Sequence, residues 1–591
     1  MESCCNKSHG FLLMVLLCSS VGISVQYRQL RSTPSPTKRH FHFNVEWKNM
    51  TLLCSTKPLL TVNGKYPGPT IAVYEGDDVE IMVTNHADCN TTFHWHGIRQ
   101  FRTGWADGPA YITQCPIQSK RSYTYKFTVD QRGTFWWHAH ISWQRASVHG
   151  PFIVYPRKPY PFQTPIKADI PIIIGEWWKR DIEAMLADSM MSGAAADISD
   201  AYTINGSPGP LYPCSAKDTF VQTVEHGETY MLRIINAVLN EELFFAVTNH
   251  SLTVVEIDGT YIKPFVTPAI MIAPGQTTNV LLTTNQATYS KSFSMAARPY
   301  VSSIFPFDNT TTVGFIHYIR TKKTTEIQQP SPDYPSNPQG ISLPHLPPLQ
   351  DTAFNTEFSN KLRSLASPSF PCNVPEKVDK QVFLTISLNL QNCPPNRKCK
   401  GLYGKQFSAS INNQSFIHPT ISILESHYRN LTTHPLSLDF PEKPVHPFNY
   451  TGTSSLHANM NSEFGNKLLS VPYDTCLEFV LQDTSFLNLE NHPIHFHGHN
   501  FFIVGSGFGN FNSKRDPAGF NLVDPPERNT IAIPRGGWAV IRFKADNPGV
   551  WFIHCHIEEH STWGLAMGFI VQNGPDPSQS LLPPPKDLPQ C

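Results

Sequence analysis

Two stretches far apart in the chain repeat one pattern: Gly133-Thr-Phe-Trp-Trp-His-Ala-His140 and Gly549-Val-Trp-Phe-Ile-His-Cys-His556. Each opens on glycine, runs through large apolar residues and closes on His-x-His. Repetition at so long a spacing means duplicated domains rather than a solenoid of short units. A second unit recurs three times. Glu75-Gly76-Asp77 leads into Val79 to Asn85, His226-Gly227-Glu228 into Tyr230 to Asn236, and Tyr473-Asp474-Thr475 into a run from Leu477. Val79 to Asn85 alternates apolar and polar residues, the period-2 mark of a half-buried strand. At 591 residues the chain exceeds what one core can bury. The pattern predicts an all-β protein of three domains, each an antiparallel Greek-key sandwich or barrel. Their expected bounds are 37–155, 166–320 and 373–575. Between the last two, 321–372 carries Pro330, Pro332, Pro335, Pro338, Pro344, Pro347 and Pro348 and reads as an extended linker; 576–591 is a tail.

The N-terminus fixes the expected compartment. Lys7 precedes an apolar run from Phe11 to Cys18, with Gly22 and Ser24 placed for cleavage, so 1–24 reads as a secretory signal peptide. The tail is polar and proline-rich, unlike a lipid-anchor signal. Asn-x-Ser/Thr sequons at Asn49, Asn90, Asn205, Asn249, Asn309, Asn413, Asn430 and Asn449 fit a secreted glycoprotein. Removal of Cys4, Cys5 and Cys18 leaves ten of 13 cysteines, scattered rather than in CxxC pairs, which favours disulfides over a zinc ribbon. Lysine plus arginine balance aspartate plus glutamate at 46 each. No basic stripe suggests nucleic acid and no later apolar stretch suggests a membrane span; a soluble monomer is expected.

Four histidine clusters carry the chemistry: His94-Trp95-His96, His138-Ala139-His140, His492-Pro-Ile-His495-Phe496-His497, and His554-Cys555-His556 followed by His560. One His-x-His on a strand is ordinarily two polar residues on one face. Four such pairs, two near each end of the chain, are far more specific. On a strand, residues i and i+2 share a face and i+1 points away. His94, His96, His138, His140, His495, His497, His554 and His556 therefore form one set of imidazoles, and Cys555, His492 and His560 a separate set. The second is a His2Cys group, the ligand class of a blue electron-transfer copper. The first is too rich for one metal and suits about three coppers with open positions for oxygen. The run His554-Cys555-His556 joins the two covalently, an arrangement that demands an oxidase.

His-Trp-His-Gly, Trp-His-Ala-His, His-Pro-x-His-x-His-Gly and His-Cys-His-x3-His resemble the motifs of the multicopper oxidases, from about residue 40 to 575. The resemblance implies three cupredoxin domains and about four copper ions per chain. It assigns His492, Cys555 and His560 to type 1 copper, and His94 and His495 to type 2. The type 3 pair falls to His96, His138, His140, His497, His554 and His556. Leu565 stands where relatives of lower potential place an axial methionine, which raises the expected reduction potential. Met567 is set apart from that site by position and parity.

The phrases Thr103-Gly-Trp-Ala-Asp-Gly-Pro, Asn240-Glu-Glu-Leu-Phe-Phe245, Ala273-Pro-Gly-Gln-Thr-Thr-Asn and Asn521-Leu-Val-Asp-Pro-Pro-Glu-Arg-Asn-Thr530 resemble the plant laccases. That likeness implies one-electron oxidation of phenols coupled to reduction of dioxygen to water. Monolignols in the cell wall are the implied substrates, with flavonoids as the alternative. Asp107 would supply protons beside the oxygen-reducing cluster; its plainer role is a turn residue before Gly108. Asn240 stands at the position of the acidic group that faces the phenol in fungal relatives, with Glu241 and Glu242 the nearest carboxylates. His499 replaces a usual aromatic residue and Phe496 a usual leucine; neither removes a ligand. The family pattern pairs Cys54 with Cys214 and Cys115 with Cys591. Cys393 and Cys399 flank a short loop that could close locally, which leaves Cys89, Cys372 and Cys476. The rival readings are an ascorbate- or metal-oxidising member of the family and a non-catalytic cell-wall glycoprotein.

Overall fold

The computed structural model describes residues 35–287, 291–303, 305–319, 340–431, 436–445, 447–452 and 460–591. The expected signal peptide and the linker prolines Pro330, Pro332, Pro335 and Pro338 lie outside them. The described chain is mostly strand and forms three cupredoxin-like domains, each a pair of packed sheets. The pairs are four- and four-stranded, six- and five-stranded, and eight- and five-stranded in chain order.

The threefold turn unit has a structural meaning. Lys38–Leu52 pairs in parallel with Asp78–Asn85, Ala168–Trp177 with Thr229–Asn236, and Lys380–Gln391 with Thr475–Asp483. In each case the repeated unit supplies the second strand, laid beside the strand that opens its domain. Alternation survives along Asp78–Asn85, which keeps one face toward solvent. Thr229–Asn236 is buried throughout. Its Tyr230, Leu232 and Ile234 enter the second domain's core, while Met231 on the other face packs with Tyr160 and Phe162 of the interdomain segment and with Ile166.

Gly549–Cys555 is also buried on both faces, and parity explains why. Trp551, Ile553 and Cys555 face the third domain's core, whereas Val550 and Phe552 join the core of the first. The first and third domains thus share one strand's two sides. The tail continues this interface. Leu581 and Leu588 pack into the first domain's core, and Trp105 Nε1 donates to the Leu582 carbonyl at 2.8 Å.

The linker is not uniformly extended. Thr352–Lys361 is an α-helix, capped where the Asp351 side chain accepts from Phe354 N at 2.9 Å, and its Phe358 lies in the second domain's core. No proline lies between Pro348 and Pro368, so nothing along 349–367 opposes a helix. Disulfides join Cys54 to Cys214, Cys115 to Cys591 and Cys393 to Cys399; Cys89, Cys372 and Cys476 are unpaired. Among the described residues, no helix is long and apolar enough to cross a membrane.

Candidate metal centre

The two copies of the long repeat sit face to face across the domain boundary. Phe93–His96 runs antiparallel to Gly133–Ala139, with His94 opposite His138. His492–Phe496 runs antiparallel to Gly549–Cys555, with His495 opposite His554 and Ile494 opposite Cys555. The histidine faces converge. The rings of His96 and His495 stack with centroids 3.8 Å apart, those of His94 and His497 lie 4.0 Å apart, and His140 Nε2 comes within 3.4 Å of His554 Nε2. Ligand atoms gather within 4.8 Å in three sets, the first two sharing His96: His94, His96 and His495; His96, His138 and His556; His140, His497 and His554. The second domain closes the floor with Gly275. At φ +89° it takes a left-handed turn, and a side-chain carbon there would meet His556 Cδ2 at 2.9 Å and His96 Cε1 at 3.0 Å.

The nitrogen atoms are arranged for cations. The Nδ1 groups of His94, His138, His495 and His554 donate to the carbonyls of Asp107, Ala139, Asn529 and Cys555 at 2.8 to 3.0 Å. That tautomer turns each Nε2 lone pair inward. The Nε2 atoms of His94, His138, His495, His497 and His556 are buried with no hydrogen-bond partner. Burial and mutual repulsion hold His96, His138, His140, His495, His497 and His556 well below the ordinary imidazole range, and His554 near 3. Neutral imidazoles with orphaned lone pairs fit copper ions, whose charge supplies what the pocket lacks. Asp107, wholly buried, braces two of them: its carbonyl accepts from His94 Nδ1 and its Oδ2 from His497 Nδ1, both at 2.8 Å.

On the other face, Cys555 Sγ stands 4.0 Å from His492 Nδ1 and 3.7 Å from His560 Nδ1. The short helix Glu558–Thr562 carries His560. Burial opposes the Cys555 thiolate, but the two imidazoles outweigh it and lower its pKa. Burial likewise opposes imidazolium, yet Asp483, Glu490 and the thiolate raise His492 to about 10 and His560 to about 9. The two imidazoles pull Cys555 toward thiolate while it and the carboxylates pull them toward imidazolium, and a copper ion would take the place of their protons. Leu565 is fully buried beside it, its carbonyl accepting from Cys555 N at 3.0 Å. Met567 pairs with Ile553 and enters the same core as Leu565, so position alone, not parity, sets it apart.

Several functional groups carry no motif. Glu490 Oε1 lies 3.0 Å from His560 Nε2 and Asp483 Oδ1 3.5 Å from His492 Nε2, placing a buried carboxylate at the far edge of each imidazole. A carboxylate two residues before His-Pro-x-His was the available signal for Glu490. Arg145 donates to the His556 and Val238 carbonyls at 3.1 and 3.0 Å, tying the three domains together beside the cluster. His499 belongs to no ligand set: its Nδ1 lies 3.2 Å from the His497 carbonyl and its ring sits among Phe543, Trp551 and Phe569, while Phe496 fills the third core.

Two openings reach the centre. A cavity of about 240 Å³ touches His138, His140, His554, Arg145, Glu558 and His418. A cleft of about 80 Å³ touches His560, with Asn240, Glu241, Glu242, Glu490 and Phe305 among its walls. Asn240 Oδ1 accepts from Glu559 N at 3.3 Å, and Glu242 Oε2 accepts from Asn491 Nδ2 at 2.6 Å. Burial raises Glu242 to about 8. A larger cavity of about 290 Å³ lies beyond Glu242, but neither His492 nor His560 lines it.

Comparison with known proteins agrees with this geometry. Multicopper oxidase family models match residues 44–159, 168–321 and 439–575. The chain is 62% identical to Laccase-1 of Arabidopsis thaliana over 558 residues, covering 94% of this chain and 96% of that one. It is 53% identical to Laccase-4 of Oryza sativa subsp. japonica, covering 94% and 95%. The crystal structure of a laccase from Botrytis aclada superposes with a TM-score of 0.70 at 28% identity, covering 93% of this chain and 90% of that chain.

Proposed function

The chain belongs to the multicopper oxidases, and within them to the plant laccases; from this premise we propose how its residues divide the work of oxidising phenols with dioxygen. His492, Cys555 and His560 would hold the type 1 copper, His94 and His495 the type 2, and His96, His138, His140, His497, His554 and His556 the type 3 pair, four ions in all. Copper supplies the one-electron chemistry at the first site and the reduction of oxygen to water at the others.

The chain's own groups do the rest. The phenol enters the cleft at His560, where Phe305 offers an aromatic wall. The single observation that carries this reading is the strand Gly549–Cys555. It delivers Cys555 to one ligand set and, through His554 and His556, reaches the other set from its opposite face. From Cys555 the oxygen site is one bonded residue away in either direction along the chain, through His554 and His556. The cavity at His138 and His140 is the proposed route for dioxygen and water. Asp107 would orient His94 and His497 and pass protons inward.

Secretion into the cell wall, a monomeric state, monolignols as natural substrates and the domain bounds 37–155, 166–320 and 373–575 are part of the same proposal. Copper analysis with a visible spectrum, followed by oxygen uptake with a methoxyphenol, tests it. About four coppers, an intense thiolate-to-copper band and phenol-dependent uptake are expected. Blue, fully loaded protein that consumed no oxygen with phenols would overturn the substrate assignment.

A further inference from the structure

The cavity of about 290 Å³ beyond Glu242 is walled by three segments: the second domain, the linker helix Thr352–Lys361 and the third domain. Junctions of this kind are where small molecules bind by preference. The helix lines it with Thr352, Asn355, Thr356 and Ser359, spaced i, i+3, i+4 and i+7, so one stripe of hydroxyls and an amide faces inward. Tyr300 and Phe508 add aromatic surface, and Phe508 is 53% exposed, an apolar ring left open to solvent. The charged residues in the walls are Arg528, Arg535 and Glu242. Arg528 is paired with Asp258 at 3.1 Å. Arg535 has no such partner: among the described residues, no carboxylate lies within ion-pair distance of its guanidinium. Burial raises the Tyr300 hydroxyl, and the nearby charge of Arg535 pulls it partly back. Glu242 Oε1 is buried without a hydrogen-bond partner. Burial raises this carboxyl to about 8, so below that pH it does not repel an anion. An unpaired guanidinium in an aromatic-walled cavity lacks a carboxylate.

We propose that this cavity is a second small-molecule site, separate from the cleft at His560, which takes an aromatic carboxylate. The acid group sits on Arg535, the ring lies against Tyr300 and Phe508, and ring oxygens meet the hydroxyls of the linker helix. The proposal concerns binding alone and holds whatever reductant the copper centre uses. Tyr300, Glu242 and Asn491 also line the cleft at His560, whereas Arg535 and Thr356 line the cavity only.

The probes are 3,4-dimethoxycinnamate and its methyl ester, which share a ring, carry no oxidisable hydroxyl and differ in charge. Calorimetric titration of copper-loaded protein at about pH 6, below the Glu242 transition, should give one site for the acid and at least about tenfold weaker binding of the ester. Arg535→Gln, which keeps a polar side chain, should weaken the acid about tenfold and leave the ester unchanged. Thr356→Phe, which fills the cavity from the helix, should remove binding of both. Neither residue lines the cleft, so the visible band and kcat/KM for a methoxyphenol should match those of the unmodified protein. Either variant decides the matter if the other proves unstable. Equal binding of acid and ester, or no binding of either, would overturn the proposal. Acid binding that survived both variants unchanged would lie elsewhere, in the cleft or on copper, and would overturn it as well.

Discussion

Arg145 grips Glu558 through two nitrogens, Nε at 2.9 Å and Nη2 at 2.7 Å, both on Oε2. The arginine is 2% exposed, and it belongs to the first domain while the glutamate follows His556 in the third. Replacement by methionine would leave Glu558 and two carbonyls without their donor. Arg145→Met is expected to cost about 3 kcal/mol of stability and to loosen His556. Calorimetry and copper analysis should show a lower melting temperature and loss of type 3 copper with the blue band retained. An unchanged copper content would refute the bracing role.

Asp107→Asn keeps the carbonyl contact to His94 but weakens the charged acceptor for His497 Nδ1. Oxygen uptake should fall about 10- to 100-fold. The visible band and the rate of its bleaching by phenol under anaerobic conditions should stay put, because Asp107 touches His94 and His497 and not the Cys555 set.

Glu242 gives a pH signature. Burial raises its pKa from 4.5 to about 8. The fold favours the neutral carboxyl, so this group's contribution is complete below pH 4.5 and is lost as pH rises through 8. Glu242→Gln keeps an oxygen for Asn491 and cannot ionise. The melting temperature of the variant should therefore gain on that of the wild type between pH 5 and pH 8, measured by calorimetry. Parallel curves would show that Glu242 ionises as readily in the fold as outside it.

Leu565→Met offers a sulfur beside Cys555. Redox titration should give a lower type 1 potential, and roughly each 59 mV lost weakens one-electron transfer from a phenol about tenfold. Phenols that are hard to oxidise should suffer first.

The sequon at Asn205 should be empty. Its side chain accepts from Ile173 N at 2.8 Å and donates to the Pro171 carbonyl at 3.0 Å, so the amide is not free to be glycosylated. Asn49, Asn249, Asn309, Asn430 and Asn449 are exposed. Glycopeptide mass spectrometry should find sugar on some of these and none on Asn205.

The parts of this site written in strand period were legible in advance. Two residues apart on a strand means one face, and that alone divides His554 and His556 from Cys555. The repeated turn units likewise announced the strand that lies beside each domain's first. What escaped were contacts between segments distant in sequence. Arg145 follows the His-Ala-His run in a loop with no periodicity, and Glu490 and Asp483 meet their histidines only after folding. Parity does not separate Met567 from Leu565, because the pairing of Ile553 with Met567 puts both on one side; position alone does. The helix Thr352–Lys361 was hidden by prolines that crowd the stretch before it.

The bond between Cys115 and Cys591 spans 476 positions, and Leu581 and Leu588 complete the core that Cys115 helps to enclose. A ribosome that has released the whole first domain has therefore not yet made the pieces that seal it. Cys115 waits as a thiol and an apolar groove stays open until the third domain has been synthesised and docked. During that interval the chain is an attractive client for chaperones and for oxidases that could join Cys115 to the wrong partner. Maturation of this protein is thus ordered from its end backwards, and a truncation just short of Leu581 would damage the domain farthest from it in sequence.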